Sequence, residues 1–499
     1  MLPPERRLGA VLELIEEHRF FTLHAGRQTG KTTSARWLVE HLNAGDRFHA
    51  VWVDMQIARE QPEPERAFEA LLYCLDTATA RDLPHLGLPA GTAREVAPAS
   101  TFVLRYLRDL AARSPRPLVV LFDGADGLAG KAMGSFLAQL RQGYQDRSRT
   151  PFPTSPVLIG LRQVRDYALA AEGRQATEWL GTTSPFHITA EATTLDPFTE
   201  AETAELLGQH TAAAGQRFEP EAARRFWELG QGHPWLTNAL ADQIVRHDVK
   251  DRSVAITAAH VDAARDTIIL ERRSHIDSLI ARLREPRVVR VLGPMLAGTL
   301  PTDLLDDDVS HLLGLGLVRM ERGELQIASP IYREVIPRAL TWTQQISIHQ
   351  PTAWYVRPNG SLDMDRLLSA FQDFWRKDGH LAAEGFGYRE AGPHLMLMAF
   401  LQRIIDGDGR VEREYGLGRG ALDLLVLWRE ERHAIEVKLR RDIETEENAL
   451  NQVVRYLDHA GLSVGWLVMF DSRKERSWGE KLFMRGVTHG AKAIHIVGC

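Results

Sequence analysis

Residues 20–38, FFTLHAGRQTGKTTSARWL, constrain the fold more than any other stretch of the chain. The apolar run of Phe20, Phe21 and Leu23 predicts a strand, and Ala35, Leu38, Val39 and Leu42 recur at helical spacing. Between them Ala25–Thr32 reads A-x-x-x-x-G-K-T, a phosphate loop with alanine at the usual first glycine. Such a loop turns successive backbone N–H groups inward and adds the positive end of a helix, so it suits a polyphosphate. The expected cradle is Ala25, Gly26, Arg27, Gln28, Thr29, Gly30, Lys31, Thr32 and Thr33. In it Lys31 reaches the β- and γ-phosphates, Thr32 offers a hydroxyl to Mg²⁺, and Gly30 lets the backbone approach the ligand.

With 499 residues, the chain has room for roughly three domains at ~150 residues each. Hydrophobic content of 44% and charged content of 25% belong to ordinary globular protein. No apolar run approaches the ~18 residues that a membrane span needs, so no membrane partner is expected. The segment MLPPERRLGAVLELIEEH carries glutamates among its apolar residues, so no signal peptide is expected. Cys74 and Cys499 sit in no paired motif, which argues against a disulfide scaffold or a cysteine zinc site and fits a reduced, cytoplasmic setting. A formal net charge of −6 argues against broad electrostatic capture of nucleic acid but leaves room for a local basic groove.

Residues 1–195 alternate helix and strand patterns. Strands are expected at 20–25, 48–55, 117–122 and 156–161, with 186–189 closing the sheet, and helices at 5–17, 66–79, 100–113 and 131–144. This alternation predicts a parallel sheet with helices on both faces. At Asp196-Pro197-Phe198-Thr199 the character changes. Thr199 with Glu202 forms a capping-box pattern, and 196–285 reads as a helical lid. Residues 286–345 pair two helix patterns with two short strand-like runs around Glu321-Arg322-Gly323-Glu324. That is the outline of a winged helix or of a generic α+β spacer. A further unit over 346–499 has helices at 363–377, 393–406 and 446–459 and strands at 421–428, 433–439 and 464–470.

The run VVLFD places Asp123 at the carboxyl end of a buried strand, where a second Mg²⁺-directed carboxylate belongs. Hydrolysis also needs a group that orients or deprotonates water. Gly124 follows Asp123 directly, and Asp126 is the nearest substitute; its alternative role is a turn or N-cap residue. Arg162, after the 156–161 strand, is either a γ-phosphate sensor or a solvated loop charge. His233, in Gly232-His233-Pro234, is aimed at the nucleotide if that turn lies beside it. Together GRQTGKT, VVLFDGAD, GLRQVRDY, TTLDPFTEAE and ELGQGHPWLTNAL resemble bacterial AAA-like ATPases of the signal-transduction type. The resemblance spans roughly residues 1–345. It implies Lys31, Thr32 and Asp123 as groups for ATP and Mg²⁺, and His233 as a lid contact. Where those ATPases commonly have Asp-Glu this chain has Asp123-Gly124, which favours a slow, switch-like site.

A second constellation lies in EREYGLGRGALDLLVLWREERHAIEVKLRR. Asp423 opens one strand, while Glu436 and Lys438, two apart in the next, share a face. Two carboxylates can hold Mg²⁺ or Mn²⁺ and so activate water, and an ammonium stabilises the charge that develops on a phosphodiester. Glu414 and Glu390 are candidates to complete the metal site. Gln452 and Tyr456 share a helix face, and Arg419 and Arg440 suit phosphates. The alternative for the Glu-x-Lys pair is a solvated strand face. This segment resembles the PD-(D/E)XK nuclease superfamily over about 360–499, through Asp423, Glu436, Lys438 and Gln452.

The expectation is thus an α/β chain: a phosphate-loop ATPase with a helical lid, a winged-helix segment and a nuclease-like α/β domain. It would act as an ATP-regulated, metal-dependent nuclease on DNA rather than RNA, with defence against foreign DNA as a natural use. Assembly into a homo-oligomer is left open. The rival is a nucleotide-dependent signalling or scaffold protein whose nuclease-like domain only binds nucleic acid or protein.

Overall fold

A computed structural model describes the chain except for residues 1, 59–60, 62, 89–97, 99–100, 129, 161–190, 272–279, 297–304, 322, 342–353, 380–390, 406–408, 413–423, 441–443, 472 and 474–475. It divides into two compact units, Met1–Asp262 with Leu313–Gly316, and Ala263–Leu312 with Leu317–Cys499.

The first unit opens with α1 (Gly9–Glu16), β1 (Phe21–His24), α2 (Lys31–Ala44) and β2 (His49–Asp54). Helices α3 (Pro64–Asp82) and α4 (Phe102–Arg113) lead to β3 (Leu118–Asp123), α5 (Gly130–Asp146), β4 (Ser155–Gly160) and β5 (Glu191–Thr194). The five strands pair in parallel in the order β2-β3-β4-β1-β5. All six residues of β4 are buried, and β3 is buried up to Asp123. Such unbroken apolar strands suit a sheet covered on both faces. Two separate clusters provide that cover. Phe68, Leu71, Leu107, Phe122 and Phe136 lie in one, and Leu8, Ile15, Phe21, Leu38 and Leu121 in the other. Alternation along β3 explains the division, since Phe122 and Leu121 must point to opposite faces.

The strand that closes the sheet is Glu191–Thr194, in register with all of β1. The expected strand at 186–189 lies outside the described residues. A polar EATT segment carries no apolar signal, so its strand character comes from the backbone partner that β1 offers.

The helical segment after the sheet begins as its sequence predicts. Thr199 caps α6 (Glu200–Ala214) and exchanges hydrogen bonds with Glu202 in a capping box. Helices α7 (Pro220–Gly230) and α8 (Pro234–Gln243) follow, then α9 (Ala258–Glu271). The α7–α8 turn is tied to the segment before α6. Phe198 N–H donates to the Gly232 carbonyl at 2.8 Å, and Trp227 Nε1 donates to the Phe198 carbonyl at 3.2 Å. Gly232 has φ +71°, and a Cβ there would lie 1.9 Å from the Phe198 carbonyl oxygen. Gly232→Ala is therefore expected to cost about 2–4 kcal/mol, seen as a lower apparent melting temperature in calorimetry. An unchanged transition would contradict this tight approach.

Further along the chain α10 (Pro286–Leu296) and α11 (Asp306–Leu315) precede the antiparallel hairpin β6 (Val318–Glu321)–β7 (Glu324–Ile327), and α12 (Pro330–Leu340) follows. Next come α13 (Met364–Phe374), α14 (Gly392–Ile405), β8 (Gly409–Glu412), β9 (Leu424–Trp428), β10 (Glu431–Arg440), α15 (Glu444–Ala460) and β11 (Val464–Asp471). The short α16 (Trp478–Lys481), β12 (Phe483–His489) and β13 (Lys492–Gly498) end the chain. The six strands form one mixed sheet, β12-β13-β11-β10-β9-β8. Phe371 and Phe400, from α13 and α14, share a cluster with Trp428, Ile435, Val437 and Phe470. Val453 and Leu457 of α15 share another with Ala434, Leu467, Ile494 and Ile496. Alternation in β10 thus sends Ile435 and Val437 to one face and Ala434, Glu436 and Lys438 to the other, the α15 side. Strands β8, β12 and β13 lie beyond the strands expected from the sequence; β8 is too short and β12 too polar, with Arg485, Gly486, Thr488 and His489, to stand out.

Candidate functional site

The residues after β1 form a tight backbone cradle. Gln28 and Gly30 take positive φ values, +57° and +95°, and only Gly30 does so at no steric cost. Helix α2 starts at Lys31 on this turn, so its first unpaired N–H groups face the loop. The Lys31 ammonium donates to the Ala25 carbonyl at 2.7 Å and the Gly26 carbonyl at 2.6 Å. Thr29 Oγ1 also donates to the Gly26 carbonyl, at 2.9 Å. Arg27, Gln28, Thr32 and Thr33 are exposed, whereas Ala25 and Gly26 are buried.

Thr32 Oγ1 donates to Asp123 Oδ2 at 2.7 Å, which joins the start of α2 to the end of β3. Trp52 Nε1 donates to the same oxygen at 3.2 Å. Burial raises the Asp123 carboxyl above the usual carboxylate range, against the pull of the Thr32 and Trp52 hydrogen bonds and of the Lys31 charge, while the nearby Asp54 charge raises it further. A carboxylate in surroundings that disfavour its charge, hydrogen-bonded to a threonine at a helix start, fits a divalent cation. Asp123 and Thr32 are the residues that would hold Mg²⁺. Asp123→Asn is accordingly expected to remove most of the gain in ATP affinity that Mg²⁺ brings, measured by titration with and without the metal. An unaltered Mg²⁺ effect would exclude this carboxylate as the ligand.

Two residues at this site gave no functional signal in the sequence. Trp52 is held between charges: the guanidinium carbons of Arg36 and Arg81 lie 4.6 and 4.9 Å from its ring centroid, within cation–π range. In FHAVWVDM it reads only as a strand residue. Arg7 reaches from the N-terminal segment to the Thr29 carbonyl at 3.3 Å and to the Asp196 carbonyl at 2.8 Å, and lies 5.0 Å from the Phe198 ring centroid. It ties the phosphate loop to the segment that enters α6. An arginine in the run ERR carries no sequence signature for that role.

His233 is the N-cap of α8, and its Nδ1 accepts from the Leu236 N–H at 3.4 Å. Asp126 belongs to the short turn Ala125–Gly127 after β3. Arg162 lies outside the described residues.

In the second unit Lys438 Nζ and Glu436 Oε1 are 2.6 Å apart, with Glu436 fully buried and Lys438 half-exposed. Gln452 and Tyr456 lie half-buried on α15, and Tyr456 packs against the cluster that contains Ala434. The described β9–β10 ladder runs from Trp428–Glu431 to Leu424–Ile435. Asp423, Glu414, Glu390 and Arg419 lie outside the described residues, and the side chain of Arg440 is not described. Among the described residues no group of three or more His, Cys, Asp or Glu side chains is arranged to hold a metal ion, and no helix is long and apolar enough to cross a membrane.

No protein-family model matches the chain, and no curated protein matches it. Among solved structures it is similar to a Walker-type ATPase of Pyrococcus abyssi, at 16% identity over 67% of this chain and 96% of that one, with a TM-score of 0.48. It is also similar to Cdc6p of Pyrobaculum aerophilum, at 14% identity over 69% and 94%, TM-score 0.38. A third is the RuvB Holliday-junction branch-migration motor of Thermotoga maritima, at 14% over 70% and 95%, TM-score 0.34.

Proposed function

We propose that the first unit binds ATP with Mg²⁺ at the phosphate loop and hydrolyses it slowly. The observation that carries this reading is the placement of three groups at one end of the parallel sheet: the Lys31 ammonium over the loop carbonyls, the Thr32 hydroxyl and the Asp123 carboxylate. Each serves a need of a bound triphosphate. The ammonium offsets phosphate charge, the hydroxyl and carboxylate hold a cation, and the helix start supplies N–H donors. When ATP enters, Lys31 exchanges its loop carbonyls for phosphate oxygens. Bound Mg²⁺ would neutralise charge on the phosphates. Calorimetric titration of the full chain with ATP tests this reading.

We further propose that residues 346–499 form a nuclease-like domain that cuts DNA under the control of the nucleotide. The specific observation in favour is the Glu436–Lys438 pair, drawn together at 2.6 Å on the sheet face that α15 covers. The alternative of a solvated strand face fits poorly with a fully buried carboxylate, because an ionised group leaves water only at a cost that its surroundings must offset. Residues 286–345 are read as a winged-helix relay between the two, and 196–285 as a lid. Incubation of the protein with DNA and Mg²⁺ or Mn²⁺ tests the nuclease reading.

A further inference from the structure

The phosphate cradle holds an ammonium, a hydroxyl and a carboxylate, but β3 supplies no side chain for the attacking water directly after Asp123. Gly124 stands there with φ +75°. Its neighbour comes from the turn after β2: a Cβ on Gly124 would meet Gln56 Cγ at 3.8 Å, an ordinary van der Waals contact. Gln56 opens the short turn after β2. Strands β2 and β3 pair in parallel, from His49 opposite Leu118 to Asp54 opposite Asp123. Residues opposite each other in such a pair project from the same face. Asp54 therefore stands beside Asp123 at the carboxyl end of the sheet, the end at which open α/β sheets bind their ligands.

Asp54 also differs from the rest of its strand. The five preceding β2 residues are buried and Asp54 is exposed. Its Oδ1 accepts from the Gln56 N–H at 3.1 Å, which fixes the carboxylate against its own turn. Met55 N–H donates to the Asp123 carbonyl at 2.9 Å and clamps the two strand ends together. Asp126, in contrast, sits beyond the strand in the turn Ala125–Gly127.

We propose that Asp54 is the catalytic residue that orients the attacking water, performing from β2 the task that a carboxylate after Asp123 would perform from β3. This rests on the reading of the loop as an ATP site. In the step, the water oxygen bonds to the γ-phosphorus as the bond from that phosphorus to the β–γ bridging oxygen breaks. One water proton passes to the Asp54 carboxylate and from there to solvent. ADP and inorganic phosphate leave, and no other reactant is needed.

The test uses the full chain, with ATP binding followed by titration and turnover by phosphate release at saturating ATP and Mg²⁺. Asp54→Asn and Asp54→Ala are expected to keep ATP affinity within a few fold and to lose kcat by about 10²–10⁴-fold, a split that a merely structural residue would not give. Wild-type turnover in both variants overturns the proposal, as does a loss confined to Asp126→Asn. A wild-type protein that binds ATP yet releases no phosphate also overturns it, while the ATP site stands. A wild-type protein that does not bind ATP overturns both.

Discussion

Lys31→Ala is expected to weaken ATP binding by on the order of 100-fold. The ammonium makes charge-assisted contacts, each worth about 1.5–3 kcal/mol, and about 3 kcal/mol corresponds to roughly two decades in affinity. In the described structure Lys31 is held by the Ala25 and Gly26 carbonyls at 2.7 and 2.6 Å. The residue is thus already turned toward the loop, and phosphate oxygens replace the two carbonyls when ATP binds. The fold of the first unit does not need Lys31, since the core residues around α2 are Ala35, Leu38, Val39 and Leu42. The variant is therefore expected to keep its helical circular dichroism while losing ATP in calorimetry. Retained affinity would remove the loop from the account.

The second large effect is expected at Lys438. Lys438→Ala should lower DNA cleavage by about 10²–10³-fold, the loss typical when one group that stabilises transition-state charge is removed. The same change leaves the buried Glu436 without its partly exposed ammonium, which lowers stability by less than the about 3–5 kcal/mol lost when a fully buried pair is broken. The paired change Glu436→Gln with Lys438→Gln removes both charges and separates the two effects. If it restores the melting temperature without restoring cleavage, the charged pair is needed for chemistry and not only for stability. Unaltered ATP binding in either variant serves as a check on the rest of the chain. Cleavage that persists in both variants would remove the nuclease assignment.

The Lys31, Thr32 and Asp123 grouping proposed to take phosphate was legible in the sequence because its pieces are local. The strand, the loop and α2 are contiguous, and Asp123 ends a strand whose apolar run is unmistakable. The Glu436–Lys438 face was legible for a similar reason, since a period of two fixes which residues share a side. What was missed depends on partners far along the chain. Strand β5 is polar and exists because β1 offers an unpaired edge at Phe21–His24. Trp52 and Asp54 acquire meaning only when β2 comes to lie beside β3, which places Trp52 Nε1 on Asp123 and Asp54 opposite it. Arg7 acquires its role through carbonyls of Thr29 and Asp196, and backbone acceptors leave no trace in residue type. The close approach of Gly232 to Phe198 is likewise invisible in Gly-His-Pro, where the sequence signals a turn and a candidate histidine but not the partner backbone.

The proposed ATP site and the proposed nuclease site matter to one another only if the nucleotide controls cleavage. The most direct measurement is DNA cleavage by the full chain in Mg²⁺, with and without ATP, beside Lys31→Ala under the same conditions. The account predicts that ATP changes the wild-type cleavage rate and leaves the Lys31→Ala rate unmoved. Equal wild-type rates with and without ATP, or an absence of cleavage in both, would contradict it.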